Sequence, residues 1–374
     1  MPPTPGADSI LADAFSAARL VAVAFADLPG WTDDDHAAAF TAFRRSAVRL
    51  TDKAPTTKAL GPEGAALVKK GRLALELGEA VGPADARAFF ETHFKPFRVE
   101  PIAGEGFVTG FFEPEVDARL QPSLAFPVPL LAPPRGLREI GTDDDRRNLD
   151  PALTWALEDG LGRLAACPDR GAIMAGALDG RARPVAYVKS AVEAFFIHVQ
   201  GAARLRLPDG DLLRITFAAK SGHPYFPVAR LMLERGIVTS AAEATADALR
   251  AWLEGLAPQE RRAALIRNRS YIFFREAPVD DPALGPVAAA GVPLTPGRSL
   301  AVDRSLITFH APVFVEADLA AGPFRHLMMA QDTGSAIIGP ARGDIFFGSG
   351  DAAFALAARV RDAARFTLLV PREG

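Results

Sequence analysis

The sequence predicts a mainly β protein with helices at its N-terminal end, its strands gathered into closed or nearly closed β-barrels. Three observations carry that expectation. The first hundred residues are helix-rich, short β-prone runs punctuated by Gly and Pro begin at Phe97, and further short strands follow Asn268. At 374 residues the chain exceeds the usual single core, so two domains, or one domain with a large insertion, are expected.

Taken in order, the first apolar run, Leu20-Val21-Ala22-Val23-Ala24-Phe25-Ala26, is too short to span a membrane and reads as a core helix. The start, MPPTPGADSI, has no basic n-region and no cleavage pattern. Either the protein is not exported by that route or the numbered chain lacks its signal. After Trp31, TDDDHAAAFTAFRRSAVRL predicts a helix with Thr32 as N-cap, acids in its first turn, and Phe40, Phe43 and Val48 at helical spacing. A second helix is expected from Pro83, a residue well tolerated at the first helical position. The strand-prone runs are RVEPIAGEGFVTGFFEP, FPVPLLAPP, ARPVAYVKS, ARLRLPDGDLLRITFAA and RSYIFF. Among them ARLRLPDGDLLRITF is the clearest hairpin, turning at Pro208-Asp209-Gly210-Asp211. Helices return in VARLMLERG and EATADALRAWLEG. Strands then resume in SLAVDRSLITFHAPVFVEA, RHLMMAQ, DIFFGSG and FTLLVPR, and no internal repeat or low-complexity segment interrupts them.

Composition narrows the chemistry. A formal charge of -3 and a pI near 6.1 supply no basic excess for a phosphate backbone, so nucleic acid is not an expected partner. Cys167 is the sole cysteine, which rules out an internal disulfide and a CxxC redox pair. The histidines His36, His93, His198, His223, His310 and His326 show neither HxxxH nor HxH spacing, so no metal site is expected. With no GxSxG elbow, GxGxxG or GxxxxGK[ST], neither a hydrolase triad nor a bound cofactor is expected.

The stretch QDTGSAIIGPARGDIFFGSG places Asp332 and Asp344 in an apolar, glycine-rich setting. Asp332-Thr333-Gly334 spells the nucleophile loop of an aspartic protease, but those enzymes share a proton between two such loops and this chain has one. Carbohydrate chemistry is the alternative, since glycosidic cleavage needs a general acid on the leaving oxygen and a hydrolase usually adds a second carboxylate. The candidates are Glu113 and Glu115 in FFEPE, Asp303 in AVDRSL, Asp332 and Asp344. Burial or a like charge nearby would raise one of these acids toward the pKa that acid catalysis needs.

A set of motifs spread from Leu28 onward resembles the lytic murein transglycosylase A family, whose C-terminal part carries the 3D domain named for three aspartates. They are LPGW (28–31), TGFFEP (109–114), FFIHVQG (195–201), GHPY (222–225), NRSYIFF (268–274), LTPGRSLAVDRS (294–305) and AQDTGSAIIGPARGDIFFGSG (330–350). The resemblance implies a double-psi β-barrel domain from residues 1–108 and 278–374, the N-terminal helices included. It implies a second β-barrel domain inserted at 109–277, with a glycan groove between the two. It further implies a carbon–oxygen lyase that cuts the β-1,4 bond between N-acetylmuramic acid and N-acetylglucosamine in peptidoglycan without water, leaving a 1,6-anhydromuramoyl end.

By position, Asp344 resembles the family's catalytic aspartate, and Asp332 and Asp303 match the other two of the trio. One acid then suffices, because the sugar's own C6 hydroxyl attacks and a single carboxyl acts first as acid and then as base. The resemblance also implies glycan contacts from Thr109, Gly110, Phe111, Gln200, Gly201, Lys220, Gly222 and Tyr225. The chain departs from the family's usual pattern at Ala202, Ser221 and Ser335, and in ITFHAP after Asp303. Expected besides are peptidoglycan strands as partner, a monomer, and a periplasmic or outer-membrane location inferred from the substrate. Two other functions are weighed: a catalytically idle peptidoglycan-binding protein, and a glycoside hydrolase pairing Glu113 with Asp344.

Overall fold

The computed structural model describes residues 17–240 and 243–373. The chain forms two compact units, one drawn from residues up to Phe112 with Asp281–Gly348 and Ala352–Gly374, the other from Glu113–Asp280 and Ser349–Asp351.

In the first unit six strands close on themselves. Arg361–Pro371 pairs with Pro312–Leu319, which pairs with Gly322–Asp332, then Ser299–Val302, Arg342–Ser349 and Phe107–Glu113. The last of these returns to Arg361–Pro371, so the ring has no free edge. The strand alternation decides what fills it. Leu300, Val302, Val313, Val315, Met328, Ala330, Ile345, Phe366 and Leu368 form one buried cluster, while the intervening Phe314, Leu327, Met329 and Leu369 join another. That second cluster is the contact with the helical layer of His36–Asp52, Gly64–Glu76 and Pro83–His93, through Phe40, Phe43, Phe89 and Phe90. The mainly β architecture with N-terminal helices is therefore as expected.

Two local expectations fail, and one helix has no counterpart among them. The run after Arg19 is not a helix: Ala18–Ala22 is an edge strand antiparallel to Phe94–Pro101, with Leu20 and Val21 on the surface. A short apolar run has no period that separates the two conformations, and an available strand edge decided it. Thr32 is taken up in a 3-10 turn, Trp31–Asp33, so the cap falls to Asp35, whose carboxylate accepts from Ala38 N at 3.0 Å. The helix Gly64–Glu76 was not anticipated, because glycines at 64 and 71 weaken its signal.

Two buried polar clusters fix the helical layer on the barrel. Asp34 accepts from Arg298 Nη1 at 2.9 Å, Leu327 N at 2.7 Å and His326 Nδ1 at 2.7 Å. Burial alone would raise its pKa, but the His326 and Arg298 hydrogen bonds outweigh it and hold the carboxyl at about 2. Gln331, fully buried, donates to Ala42 O and Ser46 Oγ of the first helix and accepts from Ser299 Oγ.

The second unit distributes its strands over three sheets. Glu115–Asp117, Ala202–Arg206, Leu212–Lys220 and Ile272–Ala277 make the largest; Val128–Leu131 pairs with Pro184–Val188, and Leu137–Glu139, Trp155–Glu158 and Leu164–Ala165 form the third. The hairpin read from ARLRLPDGDLLRITF is present, with Arg204 opposite Arg214. Helices Arg170–Ile173, Ala191–Gln200, Arg230–Glu234, Ala246–Gly255 and Pro258–Leu265 complete the unit.

Candidate active site

Asp344 lies on the strand Arg342–Ser349, and the short strand Ser299–Val302 beside it decides what it meets. Ala301 stands opposite Asp344 on one side and opposite Asp332 on the other. That placement depends on a register shift, since Leu300 faces Ala330 whereas Ala301 faces Asp332, leaving Gln331 as the extra residue. The bulge sends Gln331 into the helical layer and brings Asp332 into the same row as Asp344, where side chains share a face.

Both carboxyls are half-buried and both are shifted upward. Burial pushes Asp344 up to about 6, opposed by a hydrogen bond from Thr109 Oγ1 at 2.6 Å and by the charge of Arg342. Burial likewise pushes Asp332 to about 6, with the negative charge of Asp344 adding to it and the N–H groups of Thr333 and Ala289 opposing. Arg342 bears on Asp344 partly through Thr109, because its Nη2 donates to Thr109 Oγ1 at 2.7 Å. Sequence reasoning missed Arg342. Its signal was present: in ARGD the arginine precedes Asp344 by two, the spacing that puts strand residues on one face.

Asp303 plays a different part. It is 8% exposed and accepts from Ser305 N at 2.9 Å, Ser305 Oγ at 2.6 Å and Gly339 N at 2.9 Å. Those bonds tie the loop following Asp332 back to the turn after Val302. Thr333 Oγ1, donating to Val302 O at 2.8 Å, fastens the same loop at its start.

Gly110 and Phe111 follow Thr109 on its strand. A Cβ on Gly110 would stand 2.7 Å from Ala357 Cα and 2.8 Å from the Phe347 ring, so glycine is required there by packing. Phe111 is half-buried and rests on Phe346, with ring centroids 5.2 Å apart.

The remaining candidates belong to the second unit. Gln200 ends the helix Ala191–Gln200 and Gly201 caps it at φ 77°. Lys220 ends the strand Leu212–Lys220. Gly222, at φ 83°, has no room for a side chain, since a Cβ would lie 2.4 Å from the Trp155 carbonyl oxygen. Tyr225 keeps 39% of its surface exposed. Of the residues that depart from the family pattern, Ala202 and Ser221 are buried, and Ser221 Oγ accepts from Tyr271 N at 3.0 Å. Those two changes fall on packing positions.

Glu113 is held by two arginines and a serine. It is 1% exposed and accepts from Arg204 Nε at 2.9 Å, Arg214 Nε at 2.6 Å, Arg214 Nη2 at 3.0 Å and Ser349 Oγ at 2.7 Å. Three of these four bonds converge on Oε2 and one on Oε1, so two guanidinium groups hold the carboxylate in its charged form. Glu115 is likewise bound, by Arg206 Nη1 at 2.9 Å.

Comparison with known proteins places this geometry. Residues 107–275 match the MltA specific insert domain, and residues 298–370 match the 3D domain. The chain is similar to the solved membrane-bound lytic murein transglycosylase from Agrobacterium tumefaciens, at 45% identity over 94% of this chain and 98% of that one, with a TM-score of 0.86. It is similar to Escherichia coli MltA solved with bound chitohexaose, at 25% identity, 83% of each chain and a TM-score of 0.61. Among curated proteins, membrane-bound lytic murein transglycosylase A of Escherichia coli strain K12 is 34% identical over 200 residues, 50% of this chain and 51% of that protein. The chain thus spans about half the length of the curated relatives it matches.

Proposed function

This chain belongs to the lytic murein transglycosylase A family and has its double-psi β-barrel fold, and from that premise we propose that it cleaves peptidoglycan non-hydrolytically with Asp344 as the single acid and base. The observation that carries the reading is the Asp344 carboxyl, raised to about 6 by burial and held by Thr109. Such a group is protonated on a useful fraction of molecules near neutral pH.

Its proton passes to the glycosidic oxygen as the bond from C1 of N-acetylmuramic acid breaks, and positive charge develops on the ring. The carboxylate so formed faces that charge. It then takes the proton of the C6 hydroxyl as that oxygen bonds to C1, closing the 1,6-anhydro ring and restoring the acid. No water enters, so no second carboxylate has to position one. Asp332, whose own carboxyl is pushed up by burial and by the charge of Asp344, stands beside it as a supporting residue, while Asp303 is a positioning residue for the loop that carries Thr333 and Gly339. Residues 1–108 with 278–374 are read as the double-psi domain, and 109–277 as the insert. Phe111, Gln200, Gly201, Lys220, Gly222 and Tyr225 are read as glycan contacts, with Tyr225 offering its ring for stacking on a pyranose.

Digesting purified murein sacculi and weighing the fragments tests the reaction class. Fragments ending in anhydromuramic acid, lighter by one water than hydrolytic ends, are expected; reducing ends, or binding without release, would overturn the proposal. Activity should also decline as pH rises through about 6, where Asp344 loses its proton. Thr109→Val deletes a hydrogen bond that favours the ionised form, so its declining limb should move toward higher pH by on the order of half a pH unit. A limb that stays in place would mean that Thr109 does not tune this carboxyl.

Peptidoglycan strands are the partner this reading requires, and the cell envelope is the location that follows from them. Relatives are named as membrane-bound, whereas among the described residues no helix is long and apolar enough to cross a membrane. We read the working form as a monomer.

A further inference from the structure

A cavity of about 700 Å³ lies on the first unit, at the end of the barrel marked by Gly106, Ala341 and Ala363. Glu316 and Arg98 both line it. Glu316 is 5% exposed, and its Oε2 is buried without a hydrogen-bond donor. Its cross-strand neighbours are two arginines, Arg325 and Arg365. Arg325 is occupied elsewhere, donating to Asp318 Oδ1 at 2.6 Å and to Phe324 O at 2.9 Å. Arg98 Nε, in the same wall, is buried without an acceptor.

A buried carboxylate oxygen lacking a donor and a buried guanidinium nitrogen lacking an acceptor are each costly, and natural proteins leave few of them. Both residues line one cavity, and their opposite demands are met together by a ligand that carries both groups and draws the two side chains toward it. An anion alone would face Glu316, and a cation alone would face Arg98 and Arg365. A neutral hydroxyl meets them less well, because hydrogen bonds between charged groups are about twice as strong.

We propose that this cavity binds a small zwitterion, a peptide end or amino acid whose ammonium meets Glu316 and whose carboxylate meets Arg98 and Arg365. The fold supplies one natural source. Asp344 and Thr109 follow Ala341 and Gly106 by three residues on adjacent strands, roughly 10 Å at strand rise. A peptide branching from a muramoyl sugar held at Asp344 has that reach. This choice of source rests on the transglycosylase reading, whereas the zwitterion site does not.

Calorimetric titration of the full chain tests it with two probes, the murein stem tripeptide L-Ala-γ-D-Glu-meso-diaminopimelate and free alanine. Tripeptide binding weakened about tenfold or more by Glu316→Gln and by Arg365→Met is expected. Arg365 is exposed, so its substitution leaves the fold intact even if a change at buried Glu316 does not. Free alanine binding with the same sensitivity would support the site with a free amino acid as its ligand. Absence of binding by both probes at millimolar concentration, binding unchanged in both variants, or displacement of the tripeptide by chitohexaose would overturn it. Asp344→Asn should bind the tripeptide normally, so a failed cleavage assay and a failed cavity are told apart.

Discussion

Asp344→Asn is expected to abolish release of anhydro-ended fragments and, above pH 6, to leave the protein more stable than the parent. A positioned general acid contributes about 10²- to 10⁴-fold, and here one group serves both proton transfers, so a loss of at least roughly 10³-fold is expected. The stability half follows from the sign of the shift. Asp344 is raised from an ordinary 3.8 to about 6, so between those values the folded protein holds a proton that the unfolded chain has released. Stability contributed by the neutral acid is therefore lost as pH climbs through that window. At neutral pH the buried charge costs on the order of 2–3 kcal/mol. Asparagine keeps the shape and can still accept from Thr109, yet carries no charge. Thermal unfolding should show the variant above the parent at pH 7 and the gap shrinking at pH 4. A fully active variant would remove Asp344 from catalysis, and an inactive one less stable than the parent at pH 7 would make it a structural residue.

The shift has a wider consequence for how the barrel is built. A carboxyl held near 6 destabilises its surroundings at neutral pH, and Asp332 beside it adds a second such group. What holds that region together is the polar framework behind it. Gln331 is clamped to Ala42 and Ser46, and Asp34 to Arg298, His326 and Leu327. The bulge couples the two sides, since the residue that anchors the helical layer immediately precedes the one that meets Asp344.

Sequence patterning revealed much of this fold because barrel strands leave an alternating trace. In HAPVFVEA, Val313 and Val315 fill the barrel while Phe314 meets the helices, and in FTLLVPR Phe366 and Leu368 alternate with Leu369 in the same way; in DIFFGSG Ile345 fills the barrel while Phe346 rests on Phe111. The runs around Leu20 and Gly64 were misread or missed because a short apolar stretch and a glycine-bearing helix lack such a trace. At the site, Asp332 and Asp344 stood out by their setting, but what makes them a pair is a one-residue bulge that no spacing betrays. Thr109 donates to Asp344 across 235 residues of chain, a contact that local pattern does not encode. Glu113 is the instructive case. Nothing local in FFEPE distinguishes it from a catalytic acid, yet the hairpin carried a warning: its alternation sets Arg204 directly opposite Arg214, and like charges so placed demand an anion between them.

That arrangement makes Glu113→Gln the substitution expected to damage stability most. Arg204 and Arg214 are 6% and 4% exposed, and each directs a guanidinium nitrogen at the same carboxylate. Glutamine preserves volume and one acceptor oxygen but removes the charge, leaving two buried cations facing each other across adjacent strands. Removing one member of a buried charge pair costs about 3–5 kcal/mol, because the surviving charge stays desolvated without compensation. Denaturant unfolding should show a midpoint lowered accordingly. Glu113→Met with Arg204→Leu and Arg214→Met, which withdraws all three charges together, should recover most of the loss, since well-packed apolar replacements of such clusters are often neutral or better. If Glu113→Gln unfolds like the parent, the cluster is not what holds these strands. The same variant separates structure from chemistry: below its midpoint it should still yield anhydro-ended fragments, whereas a Glu113 serving as hydrolytic nucleophile would lose turnover and keep its midpoint.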